Sequence, residues 1–81
     1  MNASPLFPSA RNDQGDVFER GTHVSLKGIE PKSVQEVIMI LEAGSHNRTT
    51  CLLSNGETAH PSVLRVEMTR EQARTLARKA L

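Results

Sequence analysis

The chain has 81 residues, of which ten are Lys or Arg and nine are Asp or Glu, so its formal net charge is +1. Only 37% of the residues are hydrophobic, and two phenylalanines are the only aromatic residues. A chain this short forms one domain, and it is close to the smallest size that folds without a disulfide or a metal. We therefore expect one domain whose core is small or is completed by a partner.

Nothing in the sequence predicts a membrane segment or an oxidising environment. No apolar run reaches the roughly 18 residues that span a bilayer, and the N-terminus lacks the basic start and apolar stretch of a secretory signal. Cys51 is the single cysteine, so no internal disulfide can form. We expect a soluble, cytoplasmic protein that does not bind a membrane.

The N-terminal residues 1–16 are rich in Pro, Ser, Asn and Asp, and Leu6 and Phe7 are their only adjacent apolar pair. Such a segment cannot build a core, which predicts a disordered tail. The Ser-Pro-Leu-Phe-Pro stretch could instead be a docking peptide with Phe7 as its anchor, because prolines reduce the entropy lost on ordering.

The first strand signal lies within residues 17–26. Apolar and polar residues alternate from His23 to Leu26, which is the period of a half-buried strand. Gly28 and Pro31 then interrupt the chain.

The segment Val34 to Leu41 fits two secondary structures. Ser33 and Glu36 form a capping box, and apolar residues follow at helical spacing, which predicts a helix. Residues 37–41 are also an unbroken apolar run rich in β-branched residues, which predicts a strand. We choose the strand, because apolar residues on both of its faces would offer a surface to a C-terminal helix. The alternative is a β-α-β-β-α arrangement.

The next signal is a β-hairpin. Residues 49–54 and 57–60 flank the dipeptide Asn55-Gly56, which favours a two-residue type I′ turn. A turn of this kind places Cys51 directly opposite His60.

A short strand over residues 63–66 and a helix from Thr69 complete the domain. Thr69 and Gln72 form a capping box. The apolar stripe of the helix consists of Ala73, Leu76, Ala77, Ala80 and Leu81. At about 12 residues the helix is marginal alone, so the stripe must be covered by the domain or by a partner.

These elements together predict a mainly β protein. We expect a disordered tail over residues 1–16, a small five-stranded barrel over residues 17–68, and a C-terminal α-helix over residues 69–81 that packs on the barrel.

Residues 21–38, which read GTHVSLKGIEPKSVQEVI, resemble a family of small uncharacterised bacterial proteins. In that family Gly-Asp-x-Val-x-Leu-Lys precedes a Gly, a Pro and a Val-x-x-Ile strand. The later residues that carry the resemblance are Cys51, Gly56, Pro61 and Leu64. The resemblance implies an SH3-like barrel and a bacterial origin.

The sequence contains no complete motif for catalysis, cofactor binding or metal binding. It has no phosphate-binding glycine loop, no paired Cys or His at metal spacing and no Gly-x-Ser-x-Gly elbow. We therefore predict no cofactor and no metal. The remaining candidate is a reactive pair of Cys51 and His60, because a neighbouring imidazole can lower the pKa of a thiol. No third group orients this pair, so we predict that the protein is not an enzyme.

Positive charge is concentrated near the C-terminus. Residues 1–64 carry five bases and seven acids, a net charge of −2, whereas residues 65–81 carry five bases and two acids, a net charge of +3. The helix bears a stripe formed by Arg70, Arg74, Arg78 and Lys79. This stripe could follow the phosphates of a nucleic acid, or it could simply keep the exposed face of the helix soluble.

We expect a binding module that recognises a protein partner, as an accessory factor of a bacterium or a mobile element. Its predicted surface is the open barrel edge with the loop Gly28–Ser33. The alternative is a nucleic-acid-binding protein that uses the basic stripe of the helix.

Overall fold

The protein is described by a computed structural model that covers residues 9–41 and 49–80. The docking peptide predicted around Phe7 lies outside these residues, as does Leu81 of the predicted apolar stripe. The elements formed there are β1 (Ser9–Arg11), β2 (Val17–Glu19), β3 (His23–Leu26), β4 (Gln35–Leu41), β5 (Thr50–Leu53), β6 (Thr58–Ala59), a 3-10 helix (Pro61–Val63), β7 (Leu64–Met68) and α1 (Arg70–Lys79). This part of the chain is mainly β with a C-terminal helix, as the sequence predicted.

The five strands from β3 to β7 form one antiparallel sheet in the order β6-β5-β4-β3-β7. β4 is shared by both halves of the sheet, since its first residues pair with β3 and its last residues pair with β5. The sheet is not a closed barrel, because within the described residues β6 and β7 remain its two edges. β6 is only two residues long, and Pro61, which lacks a backbone N–H, begins the 3-10 helix soon after it ends.

β4 confirms the strand that was chosen for Val34 to Leu41, and the β-α-β-β-α alternative is wrong. The residues of the predicted helix cap instead form hydrogen bonds in and next to the sheet. The backbone N–H of Glu36 donates to Ser54 Oγ at 2.9 Å, and the Ser33 hydroxyl accepts from the Gln35 side chain at 3.1 Å.

A bulge interrupts the pairing of β4 with β5 at Ile38. Val37 lies opposite Leu53 and both are buried, whereas Met39 lies opposite Leu52. The bulge leaves Ile38 39% exposed and Met39 48% exposed. Only part of the apolar run that predicted the strand is therefore buried in the core.

The core draws on both the sheet and the β1–β2 hairpin. It is formed by Ala10, Phe18, Val24, Val37, Cys51, Leu53 and Leu64. Phe18 is the largest of these side chains and is fully buried. Ala10 lies opposite Phe18 in the hairpin, so β1 and β2 together contribute to the same cluster.

The disordered tail predicted over residues 1–16 is wrong for residues 9–16, which form β1 and the turn that follows it. β1 pairs with β2 across a polar turn. Asn12 Oδ1 accepts the backbone N–H groups of Gln14 and Asp16, each at 3.0 Å. The polar residues that predicted disorder therefore act as turn formers.

The single strand predicted over residues 17–26 is two strands joined by a tight turn at Gly21. The N–H of Thr22 donates to the carbonyl of Glu19 at 2.9 Å, and Gly21 has φ +96°, as the third position of a type II turn requires. Gly21 N–H donates to Val37 O at 2.9 Å, and Val37 N–H donates to Thr22 O at 2.8 Å. The turn is thereby fixed to β4.

The β5–β6 hairpin has a three-residue loop, so the predicted two-residue type I′ turn is wrong. Gly56 N–H donates to Leu53 O at 2.9 Å, and Leu53 N–H donates to Glu57 O at 2.8 Å. Gly56 has φ +91°, whereas Asn55 has no positive φ. Asn55 Oδ1 instead accepts the N–H of Glu57 at 3.0 Å. This is a turn followed by a glycine bulge, the usual form of a three-residue hairpin loop.

Helix α1 forms where the sequence predicted, and its capping box is confirmed. Gln72 N–H donates to Thr69 Oγ1 at 3.1 Å, and Thr69 N–H donates to Gln72 Oε1 at 2.9 Å. The predicted packing of the helix on the sheet is looser than expected, because no residue of α1 is buried and Leu76 is 56% exposed. The stripe is mostly alanine, which offers little apolar area to bury.

The two adjacent leucines of β5 provide a test of the sheet register. Leu53 is 2% exposed, whereas Leu52 is half-buried on the opposite face. We predict that Leu53→Ala lowers the free energy of unfolding by about 2–5 kcal/mol and that Leu52→Ala lowers it by at most about half as much. Urea titration of both variants measures the difference. A larger loss at Leu52 would contradict the register, since a slip of one residue exchanges the two faces.

Candidate functional site

Helix α1 meets the sheet at the β2–β3 turn. A Cβ at Gly21 would stand only 3.1 Å from Arg70 Cγ, so the glycine gives the stem of Arg70 room above the turn. Arg70 Nη1 also lies 3.9 Å from Glu19 Oε1. These contacts hold the first turn of α1 against the sheet.

An open groove of about 500 Å³ lies between the helix and this turn. Its helix side is lined by Arg70, Ala73, Arg74 and Ala77, and its sheet side by Arg20, Gly21, His23 and Glu36. The groove therefore combines the β2–β3 turn, β3, β4 and α1. The two alanines are small enough to leave the groove open.

The groove is lined by three guanidinium groups and one carboxylate. Arg20 and Arg74 are exposed, and neither forms an ion pair with a residue of the described ranges. Glu36 supplies the carboxylate. His23 is half-buried, and within the described part of the chain its Nδ1 is buried without a hydrogen-bond partner.

The predicted basic stripe of α1 is divided by this arrangement. Arg70 and Arg74 line the groove, whereas Arg78 and Lys79 lie exposed beyond it. The structure adds Arg20, which sequence reasoning missed because it is distant in the chain and belongs to no periodic pattern. Only the turn at Gly21 brings it to the helix.

The opposite face of α1 carries a shallow depression around Leu76. It is lined by Glu71, Gln72, Thr75, Leu76 and Lys79. The apolar stripe is therefore split between two faces, since Ala73 and Ala77 line the groove while Leu76 lies on the outer side. We call this second surface the outer face of α1.

The predicted binding loop Gly28–Ser33 is tied to the edge strand β7. Glu67 accepts hydrogen bonds from the Ser25 hydroxyl and from Lys32 Nζ, the latter at 2.9 Å. The hydrogen bond from Ser25, followed by that from Lys32, lowers the pKa of Glu67 below its ordinary value of 4.5. The stabilisation from this network is present at neutral pH and is lost as the pH falls through the lowered pKa. Ile29 in the same loop is 53% exposed.

The structure does not bring Cys51 and His60 together as the predicted pair. The three-residue loop shifts the register by one residue, so Cys51 lies opposite Ala59. His60 caps the 3-10 helix, where its Nδ1 accepts the N–H of Ser62 at 3.1 Å. Cys51 is fully buried, and this burial raises the pKa of its thiol to about 11. Both features oppose nucleophilic chemistry at Cys51.

Residues 9–41 and 49–80 contain no group of three or more His, Cys, Asp or Glu side chains that could hold a metal ion. In the same ranges no helix has the length and apolar character needed to cross a membrane. Comparisons of the chain with protein-family models, with curated proteins and with solved structures give no match.

Cys51 provides a test of this arrangement. A thiol pKa of about 11, against an ordinary value of 9.0, leaves about a hundredfold less thiolate near neutral pH. We predict that iodoacetamide labels the native protein at least about a hundredfold more slowly than the protein unfolded in urea, as followed by mass spectrometry. The variant His60→Ala serves as the control and should leave the native rate unchanged. Labelling as fast as in the unfolded chain, or slower in His60→Ala, would contradict the structure.

Proposed function

We propose that the protein is a non-enzymatic binding module that recognises another protein through helix α1, as an accessory factor of a bacterium or a mobile element. One observation carries the proposal: α1 is capped and amphipathic, yet none of its residues is buried. A helix of ten residues is marginal alone in water, so contact with a partner would stabilise it.

The charges of α1 define the partner that it would fit. Arg70 and Arg74 line the groove, so the rest of the helix carries Arg78 and Lys79 against Glu71, an excess of one positive charge with both basic residues in the last turn. A partner with an apolar side chain on Leu76 and acidic side chains beside Arg78 and Lys79 would be complementary in shape and charge. We therefore propose an acidic protein segment as the occupant of the outer face of α1.

The surface predicted from the sequence contributes a second contact in this proposal. The loop Gly28–Ser33 presents Ile29 to solvent, and the Lys32–Glu67 ion pair holds it next to β7, an edge strand of the sheet formed by the described residues. A fixed loop beside a free strand edge costs little conformational entropy when a partner binds.

We also propose that the sheet is an open form of the SH3-like arrangement that the sequence resemblance implies. Five consecutive antiparallel strands and the sharing of β4 between the two halves of the sheet support it. A domain of this kind would act through its surface.

Nucleic-acid binding by Arg70, Arg74, Arg78 and Lys79 is the second candidate. It is favoured by Arg20, which the β2–β3 turn brings to the same groove as Arg70 and Arg74. We rank it second because two carboxylates lie beside these arginines and would repel a polyanion. They belong to Glu19, which pairs with Arg70, and Glu36, which lines the groove.

Photocrosslinking in bacterial cells separates the two candidates. A photoreactive amino acid at Thr75, beside Leu76, should give a discrete protein adduct, and one at Asp13, in the exposed β1–β2 turn, should not. Leu76→Glu should remove the adduct, because it places a charge where the apolar contact forms. Gln14→Glu adds the same charge on the β1–β2 turn and should leave the adduct unchanged.

The other outcomes decide against protein recognition by the outer face. A nuclease-sensitive adduct that is lost when Arg70, Arg74 and Arg78 are all changed to Gln would establish the second candidate. An adduct between two copies of this chain, an adduct insensitive to Leu76→Glu, or no adduct above the Asp13 level would overturn the first.

A further inference from the structure

Arg20 and Arg74 line one open groove from two different elements. Arg20 belongs to the β2–β3 turn and Arg74 to the second turn of α1, and both are exposed. Neither is neutralised by an ion pair with a described residue. Two guanidinium groups that share an open space repel each other, and an anion between them converts this repulsion into attraction.

We propose that this groove binds a phosphate group, held between Arg20 and Arg74. Each guanidinium can donate two parallel hydrogen bonds to the oxygens of a tetrahedral oxyanion. The groove volume of about 500 Å³ accommodates the anion with an attached substituent, because Ala73 and Ala77 leave the helix side open. This site lies on the face of α1 away from Leu76, so it is independent of the proposed protein-binding surface.

Glu36 gives the site selectivity among oxyanions. Its carboxylate lines the same groove and, when ionised, can only accept hydrogen bonds. It repels sulfate and the phosphodiester of a nucleic acid, which carry no hydroxyl on the charged group. Hydrogen phosphate keeps one O–H near neutral pH and can donate it to Glu36. The site therefore selects a phosphate that carries an O–H, as inorganic phosphate does near neutral pH. A phosphate monoester, whose second pKa is about 6, carries one only on its monoanion.

A phosphate in the groove would also dock the helix. No residue of α1 is buried, and contacts at Arg70 secure its start against the β2–β3 turn. An anion bridging Arg74 and Arg20 adds a link one turn further along the helix. Binding is therefore expected to slow amide exchange in α1 beyond any effect of ionic strength.

The test is a titration of the full chain with inorganic phosphate at constant ionic strength, followed by the NMR shifts of Gly21 and Arg74. We expect saturable shifts, weaker binding of sulfate, and slower amide exchange in α1. Arg20→Gln and Arg74→Gln should each weaken binding by about tenfold or more. Arg78→Gln is the matched control, because it removes the same charge from the same helix outside the groove. Glu36→Gln should raise the affinity for sulfate more than that for phosphate.

Two further ligands identify the source of the phosphate. The comparison is made at a pH of about 5.5, below the second pKa of a phosphate monoester of about 6, so that both ligands carry an O–H. Tighter binding of a nucleoside monophosphate than of inorganic phosphate would then support a phosphate ester as the ligand, and weaker binding would support free phosphate. Shifts that do not saturate, equal loss of binding in Arg78→Gln and Arg74→Gln, or sulfate bound as tightly as phosphate would overturn the proposal. Tighter binding of an oligonucleotide without a terminal phosphate would also overturn it.

Discussion

The backbone hydrogen bonds between the β2–β3 turn and Val37 are the constraint on which both the core and the groove depend. Val37 accepts from Gly21 and donates to Thr22, so the turn is fixed to the strand that both halves of the sheet share. On one side of the turn the chain leads back to Phe18 in the core. The turn itself carries Arg20 to the groove. The same contacts that complete the core therefore decide which residues meet helix α1.

The small core explains why α1 has two accessible faces. The buried cluster of the described residues comes from the sheet and the β1–β2 hairpin, and the helix adds nothing to it. Ala73 and Ala77 are too small to fill the space above the sheet, so an open groove remains there. Leu76, the one large apolar side chain of the described helix, lies on the outer face. The proposed anion site and the proposed protein-binding surface therefore lie on different faces of α1.

Local signals in the sequence predicted local structure, whereas packing and register depended on contacts that the sequence pattern does not contain. The reciprocal hydrogen bonds of Thr69 and Gln72 involve neighbouring residues, so the start of α1 was predictable. Asn-Gly correctly indicated a hairpin, but the hydrogen bond from Glu57 N–H to the Asn55 side chain selected a longer loop and moved every partner by one. Arg20 reaches the groove only because the fold places its turn beside α1. No periodic pattern in the sequence indicates this placement.

Native-state amide hydrogen exchange, followed by NMR in phosphate-free buffer, tests most directly that α1 is a formed helix without burial against the sheet. The amide of Val37 is expected to exchange only on global unfolding, because it is buried and bonded between β4 and the turn. The amide of Ala80, bonded to the carbonyl of Leu76, should exchange through local opening of the helix at a free energy at least about 2 kcal/mol lower. Protection of Ala80 equal to that of Val37 would contradict a helix that is not buried against the sheet, since it would show that the helix unfolds only with the sheet.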